Sequence, residues 1–600
     1  MSIKLDIASL RQSYSEGLSP RELVSFVYTQ IEANRQNPMW ISLVSKEKAL
    51  ARADELESLD RTKLPLYGIP FAVKDNMDVE FMHTTAGCPE FSYLPEKSAA
   101  VVSKLLEAGS ILIGKTNMDQ FATGLVGVRS PYGACSSVFD ERYISGGSSS
   151  GSAVAVASGT VSFALGTDTA GSGRVPAALN NIVGLKPTRG AISTVGVVAA
   201  CRSLDCISVF ALTAKDAGTV LKSAQGFDSN DPYSRDASQY DMAAPWVGSQ
   251  ARIGVLRPNQ REFFGNTESA MLYERAITTI EGLGNTTVEF DYEPFKKTAA
   301  LLYQGPWVAE RYAAIRPFFD SASGVIHSVV KEIIAGGLLY SATDAFDAQY
   351  ELNRLKLLVK QIFDKIDVLL LPTAATTYSI EDVLANPIVL NSNMGYYTNF
   401  VNLLDLAAVA VPSGFWHNGL PFGVTFVGQA HTDQALLILA DRFHRSTGLT
   451  FTGVSTNLDD TEPVPPLSSP PGCTHLAVVG AHLTGQPLNH QLTSRAARLV
   501  LTTQSAPTYR LYYLPNTVPA KPGLVRDPEY EGAGVELEVW AMPTYNLGGF
   551  VAEIPAPLGI GTIELSDGRW VNGFICEPAA LTGATEITHY GGWRNYLNSR

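Results

Sequence analysis

Short apolar runs alternate with amphipathic stretches along most of the first 450 residues, and the alternation predicts a layered α/β domain around a mixed sheet. Ser19-Pro20-Arg21-Glu22 carries a capping-box pattern with proline at the first helical position, opening a helix through about Ala33. KEKALARADELESL predicts a second helix, GIPFAVK a short buried strand, SAAVVSKLLEAG a helix closed by Gly109, and SILIGK the next strand. Farther on, DVLLLPTAATT, LAAVAVPSGF and GLPFGVTFVGQ supply three more strands, and DQALLILADRFHRSTG a terminal helix.

The pattern changes after residue 454. Residues 455–472, STNLDDTEPVPPLSSPPG, hold five prolines and almost no apolar bulk, as an extended linker does. Beyond them HLAVVG, ARLVLTT, YRLYYLP, VELEVWAM, FVAEIP, GTIEL and VNGFICE predict the short strands of a separate β-rich α+β domain. The expected organisation is therefore a domain over 1–454, a linker over 455–472 and a second domain over 473–600, with no internal repeat. A chain of 600 residues is too long for one hydrophobic core, which agrees with that division.

Composition narrows the function classes. With 45% apolar and 17% charged residues this is an ordinary soluble globular chain, and a net charge of −13 argues against a surface for nucleic acid. No apolar run approaches bilayer length and the N-terminus lacks a long apolar core, so no membrane contact and a cytoplasmic location are expected. Cys88, Cys135, Cys201, Cys206, Cys473 and Cys576 are scattered, which favours reduced thiols, and the histidines show no metal-ligand spacing.

The candidate chemistry lies in Gly146–Arg174, which holds seven serines but no histidine or cysteine to activate one. Its interior, AVAVAS and VSFALGT, is apolar, so the segment packs inside a domain and its glycines mark close backbone approach. Lys74 ends the strand of IPFAVKDN. A lysine snorkelling from a strand end is one reading; a partly buried lysine, its pKa lowered by lost solvation, is a proton acceptor near neutral pH. DTAGS precedes RVPAALNN, a helix start with Pro176 in its first turn, and successive N–H groups there suit a developing oxyanion at Ser172. Asp168 and Arg174 are expected to form an ion pair bracing this loop.

The run from Gly146 to Thr188, ending VGLKPT, resembles the amidase signature family, as do PFAVKDN, IGKTNMDQFATG, LLLPT and GLPFGVTFVG, all in the family's order across roughly residues 20–450. The resemblance implies Ser172 as nucleophile, Ser148 after a cis peptide bond as relay, Lys74 as base, Ser149 as a supporting hydroxyl, and no cofactor. The oxyanion hole falls to the N–H groups of Thr169, Ala170, Gly171 and Ser172.

By pattern alone, LLYQGPWVAERYAAIRP is a helix from Pro306 with Arg311 on its solvated face. Within the family the whole chain resembles the allophanate hydrolases, which implies that Tyr303, Arg311 and Gly124 contact substrate. A planar guanidinium suits the substrate's carboxylate. Residues 473–600 resemble the C-terminal domain of that branch, similar in fold to γ-glutamylcyclotransferases and linked to decarboxylation of the first product. VVGAHLTGQPLNHQL places His482 at its functional position; His490 and Glu538 are weaker candidates, the latter able to face solvent on its strand. The implied function is hydrolysis of allophanate to ammonia and carbon dioxide by a homodimer functionally coupled to a biotin-dependent urea carboxylase. The alternatives are a broad aliphatic amidase and an amidase-like assembly subunit.

Overall fold

The computed structural model describes residues 3–236, 251–464, 473–515 and 517–600. They fall into two compact units, one of residues 3–236 with 252–464 and the other of the residues after 472. The first is organised by an eleven-stranded mixed sheet: β1 (Trp40–Leu43), β2 (Pro70–Lys74), β3 (Ile111–Thr116), β4 (Phe163–Asp168), β5 (Val183–Lys186), β6 (Cys206–Ala211), β7 (Arg252–Leu256), β8 (Thr286–Phe290), β9 (Val368–Pro372), β10 (Leu406–Phe415) and β11 (Pro421–Gln429). Their order is β1-β3-β2-β4-β6-β5-β10-β11-β9-β7-β8. Every residue of β2 to β6 and of β9 is buried, so these strands read in the sequence as continuous apolar runs rather than alternating ones.

The helices start and stop where local chemistry directs. Pro20–Ala33 carries both reciprocal hydrogen bonds of its capping box, between Ser19 and Glu22. Ala100–Glu107 gives way to Gly109 at φ 96°, a left-handed position that glycine takes without a Cβ penalty. Lys46–Glu57 and Asp433–Ser446 are the other two expected helices.

One pairing positions the chemistry. β2 and β4 lie side by side and parallel, Val73 opposite Leu165, so their C-terminal ends emerge at the same edge of the sheet. Phe71 and Phe163 stack across the pair with centroids 5.2 Å apart. The chain reaches β4 through the wholly buried helix Ser150–Ala157, which brings residues 146–149 to that region as well.

The first part of the expected linker carries structure of its own. β12 (Phe451–Thr452) and β13 (Thr456–Asn457) form a hairpin, followed by a 3-10 turn over Leu458–Asp460. Arg445 donates to the carbonyls of Leu458 and Thr461, and Thr452 to those of Asn181 and Leu212. Residues 455–464 thus satisfy their polar groups on the first unit; residues 465–472, which hold four of the five prolines, lie outside the described residues.

The second unit contains β14 (Cys473–Val478), β15 (Arg498–Gln504), β16 (Tyr509–Leu514), β17 (Lys521–Arg526), β18 (Glu536–Pro543), β19 (Leu558–Glu564), β20 (Trp570–Cys576) and β21 (Thr585–Glu586). Five form the sheet β15-β18-β14-β20-β19, and three form β17-β16-β21. FVAEIP is not a strand: Phe550 and Val551 close the helix Thr544–Val551. Leu547, Phe550 and Ile554, spaced three and four apart, pack on the core by the helical rather than the strand period. Among the described residues no helix is long and apolar enough to cross a membrane.

Candidate active site

Lys74, the last residue of β2, is fully buried, and its Nζ lies 2.7 Å from Ser148 Oγ and 2.7 Å from Thr167 Oγ1. The Thr167 contact follows from the parallel pairing of β2 with β4. Burial pushes the lysine down to about 7; Asp119, Asp205 and Asp168 pull it back up only in part, and Arg311 adds to the depression. Near neutral pH such an amine holds a lone pair.

The Gly147–Ser148 peptide bond is cis. A Cβ on Gly147 would lie 2.1 Å from Asp119 Oδ2 and 2.6 Å from Gly127 N, so only glycine fits there. Ser149 Oγ donates to the Thr167 carbonyl at 3.1 Å and accepts from Thr167 N at 3.3 Å, tying the start of the buried helix to the end of β4.

Beyond β4, Asp168 and Arg174 form the expected ion pair, both fully buried, with Nε and Nη2 2.9 and 3.0 Å from the two carboxylate oxygens. Burial alone would raise the Asp168 carboxyl, but Arg174 and the backbone donors hold it below its ordinary value. Gly171 N and Gly173 N also donate to Asp168, at 2.8 and 3.0 Å, and fold the loop around it. The Gly171 N–H, one of the four donors expected around the oxyanion, here donates to Asp168. The N–H groups of Thr169, Ala170 and Ser172 take part in none of the hydrogen bonds within the described loop. Gly171 has φ 135°, and a Cβ there would meet Thr398 Oγ1 at 2.3 Å. Ser172 is buried, its hydroxyl 3.5 Å from the Gly124 carbonyl.

The helix containing Arg311 runs from Trp307 to Ala322, but Arg311 is only 2% exposed, not on a solvated face. Nη1 donates to the Ala122 carbonyl (3.3 Å) and Thr123 Oγ1 (3.1 Å), and Nη2 to the Tyr303 hydroxyl (3.1 Å). Its Nε is buried with no hydrogen-bond partner among the described residues. Arg311 is therefore held on one side by residues adjoining Gly124, and Gly124 in turn faces Ser172.

Sequence patterns do not single out three further residues of this region. Thr167 is the second partner of Lys74. Asp119 accepts from Val126 N (3.2 Å), Gly127 N (3.0 Å) and Arg129 N (2.9 Å), and so shapes the turn carrying Gly124. Asp205 accepts the Thr169 hydroxyl at 2.5 Å. Asp119 stands inside IGKTNMDQFATG, yet only tertiary contacts reveal what its carboxylate does. Among the described residues no cluster of three or more His, Cys, Asp or Glu is placed to hold a metal ion.

In the second unit His482 lines a cavity of about 190 Å³ with Gln491, Lys521, Phe550, Glu553 and Phe574. Its ring stacks on Phe574 (centroids 4.9 Å apart), Nε2 is 2.8 Å from Gln491 Oε1, and burial lowers its pKa. His490 is exposed, with Nδ1 against the Pro487 carbonyl. Glu538 does not face solvent. It is buried, pairs with Arg594 at 2.5 Å, and accepts from Thr484 N at 2.8 Å and Trp540 Nε1 at 3.1 Å, which pins the loop carrying His482.

The helix-covered mixed sheet, with a buried lysine and serine hydrogen-bonded at one edge, defines an amidase. A family model described as Amidase matches residues 22–437, and the chain belongs to that family. Its second unit matches the allophanate hydrolase C-terminal domain over residues 474–598. The chain is 44% identical over 606 residues to the urea amidolyase of Saccharomyces cerevisiae, covering 99% of itself and 33% of that protein. It thus spans about a third of the length of the curated urea amidolyases it matches. The urea amidolyase of Lachancea kluyveri is likewise 44% identical, over 96% of this chain and 32% of that one. Among solved structures, Kluyveromyces lactis allophanate hydrolase superposes with a TM-score of 0.83 at 41% identity, covering all of both chains.

Proposed function

We propose that this chain hydrolyses allophanate, urea-1-carboxylate, with Ser172 as nucleophile. The observation that carries the reading is Arg311, a buried guanidinium whose Nε–H has no partner among the described residues while Nη1 and Nη2 are held by Ala122, Thr123 and Tyr303. Nε–H and the second N–H of Nη2 can together grip a carboxylate with two parallel hydrogen bonds, and Tyr303 adds its hydroxyl. Fixing the carboxylate there and the far carbonyl at Ser172, beside Gly124, orients the substrate before any bond changes.

The steps follow from the groups at hand. Ser172 Oγ attacks the terminal carbamoyl carbon while its proton passes to Ser148 and from Ser148 to neutral Lys74, which continues to donate to Thr167. The N–H groups of Thr169, Ala170 and Ser172 hold the tetrahedral oxyanion. The proton returned from Lys74 releases ammonia, and water then uses the same relay to free an N-carboxylated carbamate. That product loses carbon dioxide, assisted by His482 in the second unit, and its breakdown gives the second ammonia. Supply of allophanate by a biotin-dependent urea carboxylase, with this chain a cytoplasmic homodimer, completes the reading.

The test is ammonia release from allophanate beside urea, biuret and a simple carboxamide. Allophanate turns over; Ser172→Ala lowers the rate by on the order of 10³-fold or more, and Arg311→Ala lowers kcat/KM by about 10- to 100-fold. Serine-dependent turnover of the carboxamide that Arg311→Ala leaves intact would establish a broad amidase instead. Binding without serine-dependent turnover would leave an assembly subunit.

A further inference from the structure

The turn over Ala200–Asp205 touches both halves of the site. Internally it is closed by the N–H groups of Leu204 and Asp205, each 2.8 Å from the Cys201 carbonyl. At one end Asp205 accepts the Thr169 hydroxyl (2.5 Å), Ala200 N (2.8 Å) and Cys201 N (3.1 Å). Asn402 adds a second tie on that side, donating to the carbonyls of Asp168 (2.7 Å) and Leu204 (2.9 Å). On the other side Ser203 gives its N–H and its hydroxyl to the two carboxylate oxygens of Glu310, at 2.6 and 2.7 Å. Cys201 Sγ lies 3.5 Å from the Trp307 carbonyl. Glu310 immediately precedes Arg311 in the first turn of its helix.

A hydrogen-bonded turn therefore bridges the loop carrying the nucleophile and the helix turn carrying the guanidinium. Neither partner is fixed to the other by the sheet: the loop leaves β4, whereas Arg311 follows more than a hundred residues later. Two groups that must grip opposite ends of one small substrate need a set separation, and an error of about 1 Å costs on the order of 100-fold in rate.

We infer that Ala200–Asp205 is a strut that sets the separation between the Arg311 guanidinium and the Ser172 hydroxyl, with Glu310 and Asp205 as positioning residues at its two ends. It selects amides whose carboxylate stands a single N–H away from the scissile carbonyl. The inference rests on the allophanate reading above. Glu310 touches no substrate; it holds the helix turn so that Nε and Nη2 of Arg311 meet the carboxylate.

Steady-state kinetics on allophanate, with the full chain, test this. Glu310→Ala lowers kcat/KM about tenfold, mainly through KM, and Glu310→Gln, which keeps an acceptor for Ser203 N and a donor for its hydroxyl, restores it to within about threefold. In an Arg311→Lys background, where the two-pronged grip is already lost, Glu310→Ala costs less than about twofold more, because the two residues act as one unit. Equal losses in both backgrounds, or no loss at all, overturns the strut. Absence of allophanate turnover by the unmutated protein overturns the functional reading and the strut with it, and is told apart by needing no variant.

Discussion

Lys74 gives up the hydration of an ammonium group, and three carboxylates within its field do not make good the loss. A protonated lysine has no lone pair for Ser148, so the proposed relay needs the neutral form. The expected profile of kcat/KM falls about tenfold per pH unit below about 7 and levels off above it. A rate that stays constant from pH 5.5 to 8.5 would remove Lys74 from the role of base. The same displacement bears on stability. Between about 7 and 10.5 an unfolded lysine is protonated and the native one is not, so the unfolded chain binds more protons and stability rises with pH through that window.

At the scale of elements, the helix Ile7–Ser15 is held to the helix Ala214–Ala224 by a pair of carboxyl groups. Asp6 caps the first helix by accepting from Ser9 N at 2.9 Å, while Asp216 accepts from Ile7 N at 3.0 Å. The second oxygen of each is buried with no hydrogen-bond partner among the described residues. Burial and then the Asp6 charge push Asp216 up to about 7, against the opposing pull of Thr213, the Ile7 N–H and Lys215. Its folded pKa lies above the unfolded value of 3.8, so its contribution is complete below that value and is lost as pH rises through about 7. Asp216→Asn keeps the acceptor for Ile7 and supplies a donor that needs no proton. It should stabilise the protein at pH 8 by about 1–3 kcal/mol and by less at pH 5, read from thermal melts at both values. A lower melting point at pH 8 would mean that the two carboxyl groups do not share a site.

At the scale of the whole molecule, the proposed function puts two sites of different chemistry in two separate units. In the proposed mechanism the first uses a serine, a second serine and a lysine for acyl transfer. The second has a cavity, lined also by Lys521 and Glu553, in which a histidine stacked on Phe574 is kept neutral by burial. If the second acts on the first one's product, ammonia and carbon dioxide should appear together in the unmutated protein. In His482→Ala, carbon dioxide should lag behind the first ammonia by at least about threefold in initial rate. Coupled assays of both gases from one reaction decide it; unchanged timing would leave the second unit without a part in the chemistry.

Much of this is present in the sequence because it is set locally. The capping box at Ser19, the apolar strand ending in Lys74 and the serine-glycine run before a buried helix depend on neighbours a few residues apart. So does the Asp168–Arg174 pair, both members of which sit in one loop. Spacing also separates the two domains. Residues 455–464 look like linker by composition, yet they have polar partners on a surface that composition does not describe. FVAEIP reads wrongly as a strand for a related reason, since its apolar positions fit two periods and the neighbouring core selects one. The three-dimensional arrangement alone decides which polar groups lie buried together. Arg311 and Glu538 sit at positions that a helix or strand pattern leaves free to face water, and they are buried because distant segments close over them. Thr167, Asp119 and Asp205 act through partners that meet only across the folded chain. Local spacing carries the chemistry of each residue, whereas burial, which sets pKa and leaves an N–H without a partner, is a property of the assembled core.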